Sequence, residues 1–139
     1  HCTASRQTWS VDALLKEFTN KGWHYPGYHW IVEANGKATQ LMTEDLPSNG
    51  VKGYNHESIN VAYMGGISRS GKPIDNRTDE QKATLRELLT ELKQRYPEAK
   101  ILGHRDISPD LNHNGKVDVW ERIKACPCFD AIPEYADIK

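Results

Sequence analysis

Tyr28-His29-Trp30-Ile31-Val32-Glu33-Ala34-Asn35-Gly36-Lys37-Ala38-Thr39-Gln40-Leu41 is the stretch that decides the fold class of this chain. Two runs suited to extended backbone flank Asn35-Gly36, and both turn residues tolerate positive φ, so the segment predicts a β-hairpin. Downstream, Ile59, Val61 and Tyr63 alternate with Ser58, Asn60 and Ala62, which predicts a half-buried strand closed by Gly65-Gly66. Upstream, Ser10 precedes Val11-Asp12-Ala13-Leu14-Leu15-Lys16-Glu17-Phe18 at helical spacing, with Gly22 as the stop. Thr78-Asp79-Glu80-Gln81 has the form of a capping box, and Leu85, Leu88, Leu89 and Leu92 then make one apolar stripe before Pro97. Ile101-Leu102 reads as a short buried strand with His104 at its end. Asp118-Val119-Trp120-Glu121 reads as a second capping box opening a short helix to Lys124. Helices interleaved with strands imply an α/β fold: a single domain over residues 1–139, with a mixed central β-sheet flanked by helices.

The bulk properties set limits. The chain has 139 residues, enough for one domain with a real core. Eighteen basic and 19 acidic residues leave a net charge of −1. No global field therefore draws it to nucleic acid or an anionic membrane, and no apolar run approaches the ~18 residues of a membrane span. We expect a monomer with neither partner. Three cysteines, an odd number, argue against a disulfide framework, and Cys126 and Cys128 are too close to pair without strain. Cys2 reads as a small buried residue.

The chemistry concentrates at the two ends. Gly103-His104-Arg105-Asp106 and Lys124-Ala125-Cys126-Pro127, read with His1, offer two imidazoles and a thiolate. Three protein ligands with a fourth position open is the ligand set of a catalytic zinc, whereas a structural zinc takes four. Lys124 places a cation beside such a site, where it can stabilise an oxyanion. Taken singly, each residue has a plainer reading: a surface histidine, a packed cysteine, a solvated lysine. Asp106 reads as a support for the His104 loop rather than a ligand.

The motifs His1-Cys2-Thr3-Ala4-Ser5, Gly27-Tyr28-His29-Trp30, Tyr54-Asn55-His56 with Ser58-Ile59, His104-Arg105-Asp106 and Lys124-Ala125-Cys126-Pro127 occur in that order. Together they resemble the zinc-dependent N-acetylmuramoyl-L-alanine amidases, which include phage lysis amidases and relatives of the animal peptidoglycan-recognition proteins. The resemblance runs from His1 to about Asp130. It implies hydrolysis of the amide between the lactyl group of N-acetylmuramic acid and L-alanine, with peptidoglycan or a muropeptide as substrate, in a cell-wall or phage-lysis setting. It implies zinc held by His1, His104 and Cys126, with Cys128 as the alternative thiolate. Tyr28 and Lys124 become catalytic candidates and His56 a substrate contact, while His29 faces away from Tyr28 because strand residues alternate. In the resembling family a strand leads into the first histidine, so a first strand before His1 is expected to be missing.

Asp110, Asn112, Asn114, Lys116, Asp118 and Glu121 occupy ligand positions of a calcium loop, with Gly115 at its sharp turn. The competing reading is an Asx-rich turn in which Asp118 and Glu121 cap a helix. Ser108-Pro109 precludes the usual entering helix, and no second loop pairs with this one. If calcium binds, its role is structural. Three rival readings of the chain are a non-catalytic peptidoglycan-binding module, a calcium-regulated interaction domain and, more remotely, a thiol oxidoreductase on Cys126-Pro127-Cys128, whose spacing is wrong for it.

Overall fold

A computed structural model describes residues 1–139 except Lys52, Pro109, Asp110, Lys116, Val119, Trp120, Glu121 and Ile123. The order is α1 (Val11–Asn20), β1 (Trp30–Val32), β2 (Ala38–Gln40), β3 (Val61–Tyr63), α2 (Asp79–Arg95) and α3 (Ala131–Glu134), with 3₁₀ turns at Asn55–Glu57 and His104–Ile107. The sheet runs β2-β1-β3. The β1/β2 pair is antiparallel and the β1/β3 pair parallel, so the sheet is mixed, as the sequence predicts.

Local chemistry explains the elements. Ser10 accepts a hydrogen bond from Ala13 N at the start of α1, and Gly22, at φ 78°, follows its end. Thr78 and Gln81 form the expected reciprocal capping box of α2. Gln81 does more than cap. It is fully buried, and its Nε2 donates to the carbonyls of Val32 (3.1 Å) and Met64 (3.0 Å), locking α2 to the ends of two strands. The hairpin forms, but its tip is the three residues Ala34, Asn35 and Gly36, closed by Glu33 N donating to Lys37 O at 2.9 Å. Gly36 alone takes a positive φ (86°), while Asn35 uses its Oδ1 to accept from Lys37 N.

Two further expectations are corrected. β3 is not half-buried: Tyr63 and Ala62 are both fully buried. Tyr63 and Val32 pack with Leu85, Leu88 and Leu92 of α2, while Ala62 and Ile31 pack with Leu14 and Phe18 of α1. Helices on both faces remove the solvent side that alternation presupposes. Ile101-Leu102 is not a buried strand either. It pairs with no strand among the described residues, and Leu102 is 45% exposed. The edge of β3 it would need is taken by the first residues of the chain, through parallel bridges Cys2 to Tyr63 and Ser5 to Gly66. The expected helix from Asp118 to Lys124 falls largely outside the described residues. The short α3 was not anticipated.

The C-terminal segment is held by Arg77, whose side chain is 2% exposed. Its guanidinium lies 3.4 Å from the centroid of Phe129 and pairs with Asp75 at 2.9 Å and Glu134 at 2.5 Å. Burial raises the Asp75 carboxyl, but the hydrogen bond and charge of Arg77 outweigh it and hold it below the ordinary range. The hydrogen bond from Arg77 likewise lowers Glu134. Both folded-state values are depressed, so this stabilisation is complete above roughly pH 5 and is lost as the pH falls below the ordinary carboxyl values. Replacing Arg77 by Met should cost about 2 kcal/mol at pH 7, a modest figure because both carboxylates are about one-third exposed. Urea midpoints at pH 7 and pH 3 check this: the gap between Arg77→Met and the parent should narrow at the lower pH.

Candidate metal centre

Three segments far apart in sequence supply the site. The first is laid along β3: Tyr63 N donates to His1 O (3.1 Å), and Thr3 N to Tyr63 O (3.1 Å). The second is the 3₁₀ turn carrying His104. Asp106 Oδ2 accepts from Gly103 N at 2.7 Å, so Asp106 supports this loop as expected. The third is the Cys126-Pro127-Cys128 turn, tied to the second by Arg105 N donating to Cys126 O at 2.9 Å and to the core by Tyr63 Oη donating to Pro127 O at 2.7 Å. Gly103 permits this contact: a Cβ there would sit 2.7 Å from Pro127 Cδ.

Between these segments, ligand atoms of His1, His104 and Cys126 all lie within 4.8 Å of one another. Among the described residues this is the one such cluster of three. His1 Nδ1 lies 3.7 Å from Cys126 Sγ, close to the roughly 3.5 Å that two ligands of a tetrahedral zinc keep from each other. The His1 and His104 rings meet edge to face at 5.0 Å. One soft thiolate and two imidazoles, with no fourth ligand in the cluster among the described residues, fit zinc with one open position.

The electrostatics agree with a thiolate at Cys126. Cys2 N donates to Cys126 Sγ at 3.2 Å. A hydrogen bond from the Cys2 thiol, helped by one from His104, lowers Cys126 well below an ordinary thiol although burial opposes it. Cys2 moves the other way, raised by that hydrogen bond and by burial, and keeps its proton. Cys2 is buried, as its composition-based reading has it. Cys128 Sγ turns instead toward Gly66 O at 3.6 Å and lies outside the ligand cluster.

Tyr28 lies against this cluster, its ring 5.3 Å from that of His1, with its hydroxyl donating to Cys2 O at 3.1 Å. Burial pushes its pKa up, so the group at the site is a neutral phenol. His29 is fully buried, its ring between Asn60 N (3.0 Å) and Leu46 O (2.6 Å), in the supporting role expected of it. Lys124 is exposed, two residues before Cys126, and His56 is exposed on the Asn55–Glu57 turn. The sequence reading missed Asn60, whose Oδ1 lies 2.9 Å from His1 Nε2. A polar residue in an alternating stretch carries no signal for that contact.

The calcium reading is not supported. Asp110, Lys116 and Glu121 lie outside the described residues. Asp118 Oδ2 accepts from Asn112 Nδ2 (3.0 Å) and Asn114 Nδ2 (2.9 Å), and Asn114 N donates to Asn112 Oδ1, which is the pattern of an Asx-rich turn.

Comparison with known proteins agrees with this geometry. The family model described as N-acetylmuramoyl-L-alanine amidase matches residues 1–128, and the chain belongs to that family of amide hydrolases. An endolysin of Klebsiella phage KP32 is 35% identical over 132 residues, covering 94% of this chain and 78% of the relative. Among solved structures, the N-acetylmuramoyl-L-alanine amidase LysC from Clostridium intestinale URNW superposes with a TM-score of 0.61 at 20% identity, over 70% of this chain and 61% of that one. The endolysin of Thermus scotoductus bacteriophage Ph2119 gives 0.61 at 25% identity, over 72% and 64%. This chain thus spans a little over six-tenths of either structure, and both share its fold.

One zinc per chain is the expected result of metal analysis on the purified protein. His104→Ala and Cys126→Ser should each abolish it, whereas Cys128→Ser should leave it bound.

Proposed function

We propose that the chain is a zinc-dependent hydrolase of the amide joining the lactyl group of N-acetylmuramic acid to L-alanine in peptidoglycan. The observation that carries the reading is the convergence of His1, His104 and Cys126 ligand atoms within 4.8 Å, in a chain of the amidase family. His1 through Nδ1, His104 and the Cys126 thiolate would hold the metal. Zinc, when bound, polarises a carbonyl and brings the pKa of water to about 7, which is what attack on an unreactive amide requires.

The protein's own groups supply the rest. The buried, neutral Tyr28 hydroxyl beside His1 orients the attacking water and assists proton transfer. Its own proton is directed to Cys2 O, which leaves the oxygen lone pairs free to accept a hydrogen bond from that water. Lys124, on the loop that carries Cys126, faces the negative charge of the tetrahedral intermediate. His56, exposed on its own turn, contacts the peptidoglycan strand or stem peptide. A non-catalytic wall-binding module needs neither a thiolate nor an open metal position, so the site composition favours hydrolysis.

Purified peptidoglycan digested with this chain should yield new L-alanine amino groups and no new reducing sugar ends. A zinc chelator should abolish that release and added zinc restore it; release of reducing ends instead would replace the amidase reading with a glycosidase one. Tyr28→Phe should keep its zinc yet lose roughly a hundredfold or more in turnover, and a fully active Tyr28→Phe would remove this hydroxyl from the mechanism.

A further inference from the structure

Resting on the zinc reading above, we propose that Asn60 is a positioning residue for the metal: it fixes the proton of His1 on Nε2 and so presents Nδ1 as the ligand. A neutral imidazole has one N–H and one lone pair, and the partner of one nitrogen decides the role of the other. Asn60 Oδ1, 2.9 Å from His1 Nε2, can only accept. The proton therefore belongs on Nε2, and the Nδ1 lone pair faces Cys126 Sγ at 3.7 Å. A carbonyl oxygen on the far nitrogen also raises the basicity of a ligating histidine.

The carboxamide is enclosed, and its Nδ2 has a partner of its own on the side away from His1. Asn60 is 4% exposed and Ser48 1%, and Asn60 Nδ2 donates to Ser48 Oγ at 2.6 Å. Rotating the amide by half a turn would aim N–H groups at His1 Nε2 and drive the proton to Nδ1, toward the thiolate. Gly50 walls the group in: a Cβ there would lie 2.3 Å from Asn60 Cγ and Oδ1. The Asn60 backbone is anchored as firmly. Its N–H donates to His29 Nδ1 at 3.0 Å, and its carbonyl accepts from His29 N at 2.8 Å. His29 accepts at Nδ1, so its own proton sits on Nε2 and is donated to Leu46 O at 2.6 Å. The segment from Leu46 to Gly50 is thus fastened to Asn60 through His29 and Ser48, and through Asn60 it reaches His1.

The test is zinc affinity by chelator competition, with the ring-nitrogen NMR shifts of His1 in the zinc-free chain, for the parent, Asn60→Ala, Asn60→Asp and Ser48→Ala. Asn60→Ala should weaken zinc roughly 10- to 100-fold and lose the Nε2–H preference. Asn60→Asp keeps an acceptor facing Nε2 and should restore both. Ser48→Ala frees the amide to rotate and should weaken zinc severalfold. Parent-like affinity and tautomer in Asn60→Ala overturn the proposal. Should Asn60→Ala fail to fold, parent-like values in Ser48→Ala together with weakened zinc in Asn60→Asp overturn it instead. A parent chain that binds no zinc overturns the metal reading, while the His1 tautomer still decides whether Asn60 sets it.

Discussion

The parallel ladder between residues 1–5 and β3 brings the two ends of the chain to one place. Its hydrogen bonds join His1, Thr3 and Ser5 to Tyr63 and Gly65, about 60 positions away in sequence. Tyr63 serves both sides of the contact. Its backbone carries the first residues, and its buried hydroxyl donates to Pro127 O beside Cys126. Backbone pairing is the right device for this, because it sets the position of His1 through rigid main chain rather than through a flexible side chain. A buried donor or acceptor left unmade costs about 1–3 kcal/mol, more than a made bond returns, so the register at this edge is strongly specified.

The helices make that edge rigid. Gln81 is buried between the carbonyls of Val32 and Met64 and also closes the capping box of α2. One side chain therefore fixes where α2 begins and how it sits on β1 and the end of β3. With α1 on the opposite face, the sheet is covered on both sides, and three-residue strands suffice because they are packed rather than solvated. Arg77 extends the arrangement to the C-terminal segment, carrying Phe129 against Tyr63 and thereby bracing the Cys126 turn from behind.

Charge at the site follows from burial and donor geometry. Cys126 collects a backbone N–H, a thiol hydrogen bond and a nearby imidazole, all of which favour the thiolate. Cys2 and Tyr28, buried against that negative charge, keep their protons. A thiolate at Cys126 suits a soft metal, and a neutral phenol at Tyr28 suits hydrogen bonding to water.

Much of this was legible in the chain itself. Hydrophobic spacing and capping residues determined α1 and α2, and Asn35-Gly36 determined a hairpin, because those signals act over a few residues. The candidate cluster of His1, His104 and Cys126 was legible as chemistry, since few residue types suit zinc and their surrounding motifs resemble those of a known family. Tertiary structure alone decided what depends on partners distant in sequence. It buried both faces of β3, gave its edge to residues 1–5 instead of Ile101-Leu102, turned Cys128 away from the cluster and brought Asn60 to His1. Alternation and spacing report which face of a strand a residue takes. They carry no information about which element covers that face, or which side chain meets a nitrogen 59 positions away.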